Sequence, residues 1–226
     1  MKLAVLYSGG KDSTLALHRA MRFGEVVCLV TVIPESDESY MFHYPNVALV
    51  ELQAEAMGIP LVMEGTRGEK EVELADLERA VKRARDEYGA EGLVSGAVRS
   101  VYQASRVQRV CRRLDMWSFN PLWANNEEEL LREVLRLGIK AIITGVAAYP
   151  FTEDYLGREI DEELVADLLR LRDRYGISPV GEGGEFETFV LDAPAFKKRI
   201  EVVSYEVTYR NYRGFYIIRE ARLADK

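Results

Sequence analysis

The sequence predicts an α/β protein, a doubly wound parallel sheet accompanied by a second, smaller α+β domain. Three observations predict it. Short apolar, β-branched runs alternate with amphipathic stretches through the first half of the 226-residue chain, the pattern of a parallel sheet covered on both faces. A strand, a glycine turn and a helix start follow one another within residues 3–20. After about Leu122 the rhythm changes, and the chain finishes in two alternating runs that read as a hairpin.

The first strand is the apolar run Leu3-Ala4-Val5-Leu6-Tyr7, and the amphipathic residues 13–23 follow it as a helix. Further strands are expected at 26–32, 61–64, 92–96 and 117–119, with helices at 46–57, 72–88, 101–114 and 127–137. Crossovers between such strands are right-handed. Ligands bind outside the carboxyl ends of strands in sheets of this kind, so the loops after Tyr7, Val32 and Gly96 form the expected rim of a site. Gly138 is the expected terminator of helix 127–137, and Gly176 of a helix at 161–175. A strand at 141–146, a Gly/Glu segment at 181–188 and a strand at 189–191 complete the second part. The last two runs, 200–208 and 215–222, are joined by residues 209–214. Pro121 marks the junction, which divides the chain into a first domain at 1–122 and a second at 123–226.

Composition narrows the class of partner. Hydrophobic residues make up 48% of the chain, enough for a packed core, and the net charge is -7. That balance argues against broad electrostatic binding of nucleic acid, so no stable nucleic-acid partner is expected. The longest apolar runs are of strand length, too short to cross a bilayer, and the chain enters a strand at once, which predicts no signal peptide, no membrane association and a cytoplasmic protein. Cys28 lies in an apolar run and Cys111 in a helix. With only two histidines, His18 and His43, no structural zinc site is expected.

The residues most loaded with chemistry are Ser8-Gly9-Gly10-Lys11-Asp12-Ser13. The first N–H groups of a helix lack intrahelical partners and point along its axis, where the macrodipole is positive. Glycines let those groups close on phosphate oxygens. Ser8 and Ser13 add hydroxyls and Lys11 a point charge. Asp12 is the member that suits a Mg²⁺ ion among phosphates. The competing reading is an ordinary helix start capped by Asp12 and Ser13. The spacing is neither that of a P-loop nor that of a dinucleotide fingerprint.

Three other segments stand out. Gly181-Glu182-Gly183-Gly184-Glu185-Phe186-Glu187-Thr188 places three carboxylates among glycines, a composition poor for a helix or a buried strand. If strand geometry resumes at Glu185, then Glu185 and Glu187 share a face with Phe189. Such carboxylates can bind Mg²⁺, hold ammonium or accept a proton; the competing reading is an acidic surface turn. In Gly96 to Arg106 a glycine ends a strand and a helix begins, and Arg99, Arg106, Arg109 and Arg113 recur at helical spacing as one basic face. Arg99 and Arg106 lie near the strand end and read as phosphate or carboxylate ligands, whereas Arg109 and Arg113 read as a solvated face. The long loop after Val32 and Pro34 carries Met41-Phe42-His43-Tyr44-Pro45-Asn46. Backbone groups at Val32 are placed to read an adenine edge, and His43 is either a substrate contact or a structural residue near a helix start. His18 receives no role.

Residues 8–13 resemble the SGGxDS signature of the PP-loop, or N-type, ATP pyrophosphatases. That resemblance implies the adenine nucleotide alpha hydrolase-like (HUP, Rossmann-like) fold and cleavage of ATP to AMP and pyrophosphate. The wider set of motifs resembles the diphthine–ammonia ligase family: residues 8–13, Met41-Phe42-His43 with Pro45-Asn46, Gly96 to Arg106 with Tyr102-Gln103, Pro121-Leu122-Trp123, and 181–188 followed by Val190-Leu191-Asp192.

The family resemblance implies an ATP- and Mg²⁺-dependent ligase. It amidates diphthine, a modified histidine of translation elongation factor 2, with ammonium through an acyl-adenylate. It implies catalytic roles for Lys11, Glu182, Glu185 and Glu187, with metal binding by Asp12. Cofactor contacts fall to Ser8, Gly9, Gly10, Lys11, Asp12, Ser13, Val32, Gly96 and Arg106. Substrate contacts fall to His43, Arg99, Tyr102, Gln103, Gly183, Gly184 and Thr188. Position 2 is Lys2, so the N-terminal cysteine of glutamine-hydrolysing relatives is absent and free ammonium is the expected nitrogen source. The alternatives are a tRNA-modifying PP-loop ATP pyrophosphatase and a non-enzymatic ATP-binding sensor. Tyrosines and arginines of the final hairpin suit a subunit contact, which leaves a homodimer open.

Overall fold

The computed structural model describes residues 1–34, 46, 49–66 and 70–226. Five strands, β1 (Lys2–Leu6), β2 (Glu25–Pro34), β3 (Leu61–Thr66), β4 (Gly92–Val94) and β5 (Trp117–Phe119), form one sheet in the order β3-β2-β1-β4-β5. Every neighbouring pair is parallel. The winding runs outward from β1 through β2 to β3, then resumes on the other side with β4 and β5. The reversal opens a crevice beyond the carboxyl ends of β1 and β4, the place where such sheets hold ligands.

Side chains alternate across each strand, so the strands feed two cores. Ala4, Cys28, Val30, Leu93 and Val32 pack against α3 (Lys70–Tyr88) and α4 (Val101–Arg113) through residues such as Leu77, Val81, Val107 and Val110. Leu3, Val5 and Leu29 face the other way, toward α1 (Lys11–Ala20) and α2 (Val50–Met57). Cys28 and Cys111 lie in the first of these cores, and burial pushes their thiols up to about 12 and about 11.

The second sheet is antiparallel: β6 (Lys140–Val146), β7 (Phe186–Asp192), β8 (Arg199–Arg210) and β9 (Arg213–Ala224), in the order β7-β6-β9-β8. It is joined by α5 (Glu127–Arg136) and α6 (Glu162–Tyr175). Asn126 and Asp161 cap these helices by accepting from Glu129 and Leu164 N–H groups. Gly138 and Gly176 sit at φ +72° and +71° beyond their ends, as left-handed terminators do. Leu130, Ile143, Phe186, Phe189 and Val190 share one continuous core with Leu15, Leu17 and Val50 of the first part. α1 therefore has the parallel sheet on one side and the second sheet on the other.

Two local expectations are corrected. The connection expected at 209–214 is a two-residue turn, Asn211-Tyr212, with φ +52° and +60°. Left-handed φ at both central positions matches the twist of paired strands, so the ladder extends to Arg210 and Arg213. The helix expected from Asn46 starts at Val50. Asn46 is instead a buried clamp: its amide donates to the Tyr216 carbonyl and accepts from the Ile218 N–H, both at 2.9 Å. Among the described residues no helix is long and apolar enough to cross a membrane.

Candidate active site

β1 ends at Leu6 and α1 begins at Lys11, with Gly9 at φ +84° between them. A Cβ at Gly9 would fall 2.6 Å from Gln53 Oε1, so glycine is required twice over, for the backbone angle and for the space. Gln53 is fully buried on α2 and donates to the carbonyls of Gly9 (3.0 Å) and Val190 (2.7 Å). Ser13 Oγ donates to the Gly10 carbonyl and lies 3.2 Å from Ser8 Oγ. Thr14 Oγ1 also donates to Gly10 O. The hydroxyls thus brace the turn from inside, while the N–H groups of Asp12 and Ser13 have no carbonyl four residues back within the helix.

Gly96, beyond the end of β4, makes the second close approach. A Cβ there would lie 2.9 Å from both Asp12 C and Ser13 N. The absence of a side chain lets the β4–α4 connection lie against the start of α1.

The third wall comes from the far end of the chain. The Lys11 N–H donates to Thr188 Oγ1 at 3.1 Å. The Lys11 ammonium, 2% exposed, donates to the Val180 carbonyl at 2.5 Å and to Asp12 Oδ2 at 2.8 Å. It also lies 5.2 Å from the centre of the Phe186 ring. Lys11 is thus a buried tie between the two parts of the molecule as well as a source of positive charge. Glu182 Oε1 accepts from three successive backbone N–H groups, Val98 (3.2 Å), Arg99 (2.8 Å) and Ser100 (2.7 Å). Such a run of N–H groups is an anion-binding nest, here filled by a carboxylate from 82 residues downstream.

These segments enclose a cavity of about 340 Å³, within the size range of small-molecule sites. Its lining includes Ser8, Gly10, Lys11, Asp12, Ser13, Val32, Gly96, Gln103, Glu182, Gly183, Gly184, Glu187 and Thr188. Gly9 backs this wall through Gln53. Besides Gly9, five expected site residues, Arg99, Tyr102, Arg106, Glu185 and His43, are not among the lining residues. Arg99 is exposed, and its N–H is taken by Glu182. Arg106 lies 3.7 Å above the Tyr102 ring. The Arg106 Nε and Tyr102 hydroxyl are buried without a partner among the described residues. Glu185 turns back into its own loop, accepting from the N–H groups of Ser178 and Gly183, both at 2.9 Å. The strand resumes only at Phe186, so Glu185 does not share the face of Glu187. His43 lies outside the described residues.

The expected basic face on α4 does not form a common surface: Arg113 pairs with Glu78 at 2.8 Å while Arg106 is stacked. Several lining residues carry weaker sequence signals. Thr31, at the polar end of β2, donates to the Tyr7 carbonyl at 2.6 Å. Ser95 and Phe186 also contribute. Gln53 was detectable as a polar residue among the apolar positions of α2.

Among the described residues no group of three or more His, Cys, Asp or Glu side chains gathers as a metal site. Asp12, with its side chain 27% exposed at the cavity wall, is a single carboxylate. That suits Mg²⁺, which keeps waters and takes one or two carboxylates with substrate phosphates. The glycine turn, the helix start and the absent Cβ at Gly96 form a cradle fit for a polyphosphate.

Residues 1–118 match the family model described as the diphthamide synthase N-terminal domain, and residues 126–224 that described as the diphthamide synthase C-terminal domain. The chain is 38% identical to a diphthine–ammonia ligase of Mus musculus, with 99% of this chain and 91% of that protein covered. It is 37% identical to that of Homo sapiens, over 95% of this chain and 88% of that protein. A Schizosaccharomyces pombe diphthine–ammonia ligase is 38% identical over 92% of this chain, which spans 37% of that longer protein. Among solved structures, a predicted subunit of tRNA methyltransferase from Methanocaldococcus jannaschii aligns with a TM-score of 0.45 and 21% identity, covering 86% of this chain and 98% of that one.

Proposed function

The chain belongs to the diphthamide synthase family, and from that premise we propose that it joins ammonium to the carboxylate of diphthine at the expense of ATP, releasing AMP and pyrophosphate. The observation that carries this reading is the meeting of two motifs. Most residues of the 8–13 and 181–188 segments line one cavity, and the segments are tied by the hydrogen bond from Lys11 N–H to Thr188. One motif suits a polyphosphate, and the other brings carboxylates to its edge.

A carboxylate resists attack by an amine until one of its oxygens becomes a good leaving group. Adenylation supplies that group, and donors aimed at the departing pyrophosphate stabilise its charge. We assign this task to the turn at Gly9 and Gly10, the N–H groups of Asp12 and Ser13, the Ser8 and Ser13 hydroxyls and the buried charge of Lys11. Asp12 would hold Mg²⁺, which supplies further neutralisation of phosphate charge when bound. Val32 and Gly96 flank the nucleotide in this reading.

Among the three glutamates, Glu187 is our choice to hold ammonium and take its proton. It lines the cavity from β7, opposite Gly145. Glu182 and Glu185 accept three and two backbone N–H groups of the loops they join, and we read them as the anchors that shape the loop. Gln103, Gly183, Gly184 and Thr188 border the acceptor side. The same reading takes residues 1–122 as the ATP-binding part, 123–226 as the substrate part, elongation factor 2 bearing diphthine as the partner, and the cytoplasm as the location.

The test is an incubation of the protein with ATP, Mg²⁺, ammonium and elongation factor 2 carrying diphthine. AMP release and conversion of the factor's carboxylate to the amide, read by mass spectrometry, are expected. ATP turnover without change in the factor would overturn the assignment.

A further inference from the structure

Three tyrosines cluster on the surface beside this cavity, outside its lining. Tyr149 is 56% exposed, Tyr212 43% and Tyr175 36%. The rings of Tyr149 and Tyr175 meet edge-on, with centroids 5.2 Å apart at 84°, and Tyr149 meets Tyr212 at 5.1 Å and 87°. The loop after β6, the last residue of α6 and the tip of the β8–β9 hairpin each supply one ring. Scattered exposed aromatics are ordinary, but packed ones form a patch.

The patch is braced against the cavity's own loop. The Ala147 N–H donates to the Glu185 carbonyl at 2.9 Å. Ser178, three residues after Tyr175, donates its N–H to the Glu185 carboxylate, and its hydroxyl accepts from the Glu182 N–H at 3.1 Å. The Tyr209 hydroxyl donates to the Phe151 carbonyl at 3.1 Å, fastening the hairpin to the 147–151 loop.

Two features suggest use rather than accident. Tyr212 holds φ +60° at the second position of its turn, where glycine is the favoured residue. A bulky side chain kept in a disfavoured conformation is a pointer to function. Exposed arginines also border the patch. Arg174, over the Tyr175 ring at 5.2 Å, and Arg213, over Phe215 at 5.9 Å, are exposed, as is Arg210. Among the described residues none of the three forms an ion pair.

We propose that the Tyr149–Tyr175–Tyr212 platform with its arginines is the docking surface for the protein substrate, seated against an acidic segment of it. Tyrosine and arginine are the residues that anchor protein interfaces. A positive island on a chain of net charge -7 steers an acidic partner toward the cavity mouth. A second copy meeting this one through the same patch would set these arginines against themselves, the poorer electrostatic match. This inference rests on the amidation reading above.

The experiment is steady-state amidation of elongation factor 2 carrying diphthine by wild type, Tyr149→Ala, Tyr212→Gly and the double variant Arg174→Glu/Arg213→Glu. ATP affinity and melting temperature are measured on each free protein. The expected result is a KM for the factor raised by about tenfold or more, with kcat and ATP affinity unchanged and a weaker salt dependence in the charge-reversed variant. Tyr212→Gly relieves the turn as it removes the ring, so a native melting temperature with a raised KM separates docking from folding. Unchanged KM in all three variants, with wild type active, overturns the docking surface alone. A change in the mass of the free protein caused by the variants assigns the patch to a second copy and also overturns it. Failure of wild type to amidate the factor overturns both readings.

Discussion

The backbone N–H of Lys11 donates to the hydroxyl of Thr188 at 3.1 Å, across 177 residues of chain. The first donor of α1 is thereby satisfied by the second sheet, and the start of a phosphate-type helix becomes part of a two-sided cavity. Thr188→Val keeps the volume and removes the acceptor, leaving a buried N–H unpaired at a cost of about 1–3 kcal/mol. Urea unfolding should show that loss, and Thr188→Ser should recover most of it.

Glu182 tests the other tie. Its carboxylate fills the nest at Val98, Arg99 and Ser100. Glu182→Ala should lower stability by about 2 kcal/mol and raise KM for ATP, because the β4–α4 connection loses its anchor. Glu182→Gln retains one acceptor oxygen and should fall between the two. Stopped unfolding and ATP titration on the same samples provide the check.

Glu187→Gln should behave differently. Loss of the proton acceptor predicts a kcat about 10²–10⁴-fold lower, with ATP binding and melting temperature preserved. Glu185→Gln should mainly affect stability, since its carboxylate serves Ser178 and Gly183. A reversed pattern would exchange their roles.

Gly96→Ala places a Cβ 2.9 Å from the backbone of Asp12 and Ser13. Neither neighbour is a flexible side-chain end, so α1 or the β4–α4 connection must shift. A displacement approaching an ångström in the cradle predicts activity lost by about 10²-fold, measurable as AMP formation, with the fold intact by circular dichroism.

His18 sets a pH dependence. Burial, and then the positive charge of Lys226, holds its imidazole below the usual range. The unfolded chain therefore binds the proton first as pH falls, so stability is full above about 6.5 and declines as pH drops toward the folded-state value. Urea midpoints across that window should fall for wild type and flatten for His18→Gln.

Much of the architecture was legible because it rests on local rules. Apolar runs and glycine terminators placed the strands and helices to within a few residues, and the turn at Gly9 and Gly10 marked the β1–α1 junction. The site was legible less evenly. Helical spacing grouped Arg99, Arg106, Arg109 and Arg113, yet Arg106 stacks on Tyr102 and Arg113 pairs with Glu78. Periodicity reports which stripe a side chain occupies, not what lies across from it. Gln53 escaped notice as a site residue for the same reason: its value lies in two carbonyls, Gly9 and Val190, brought to it by separate parts of the chain.

The sequence by itself determined the class of fold, the two glycine-rich segments and the kind of chemistry each can support, because these follow from residue type and near-neighbour spacing. The tertiary structure alone decided how three glutamates within six residues divide their work. Glu182 finds the nest at 98–100, Glu185 the N–H groups of its own loop, and Glu187 the cavity. A carboxylate's role is set by the donors that reach it. For Glu182 those donors are more than eighty residues away in sequence and are brought to it by the packing of the second sheet against α1.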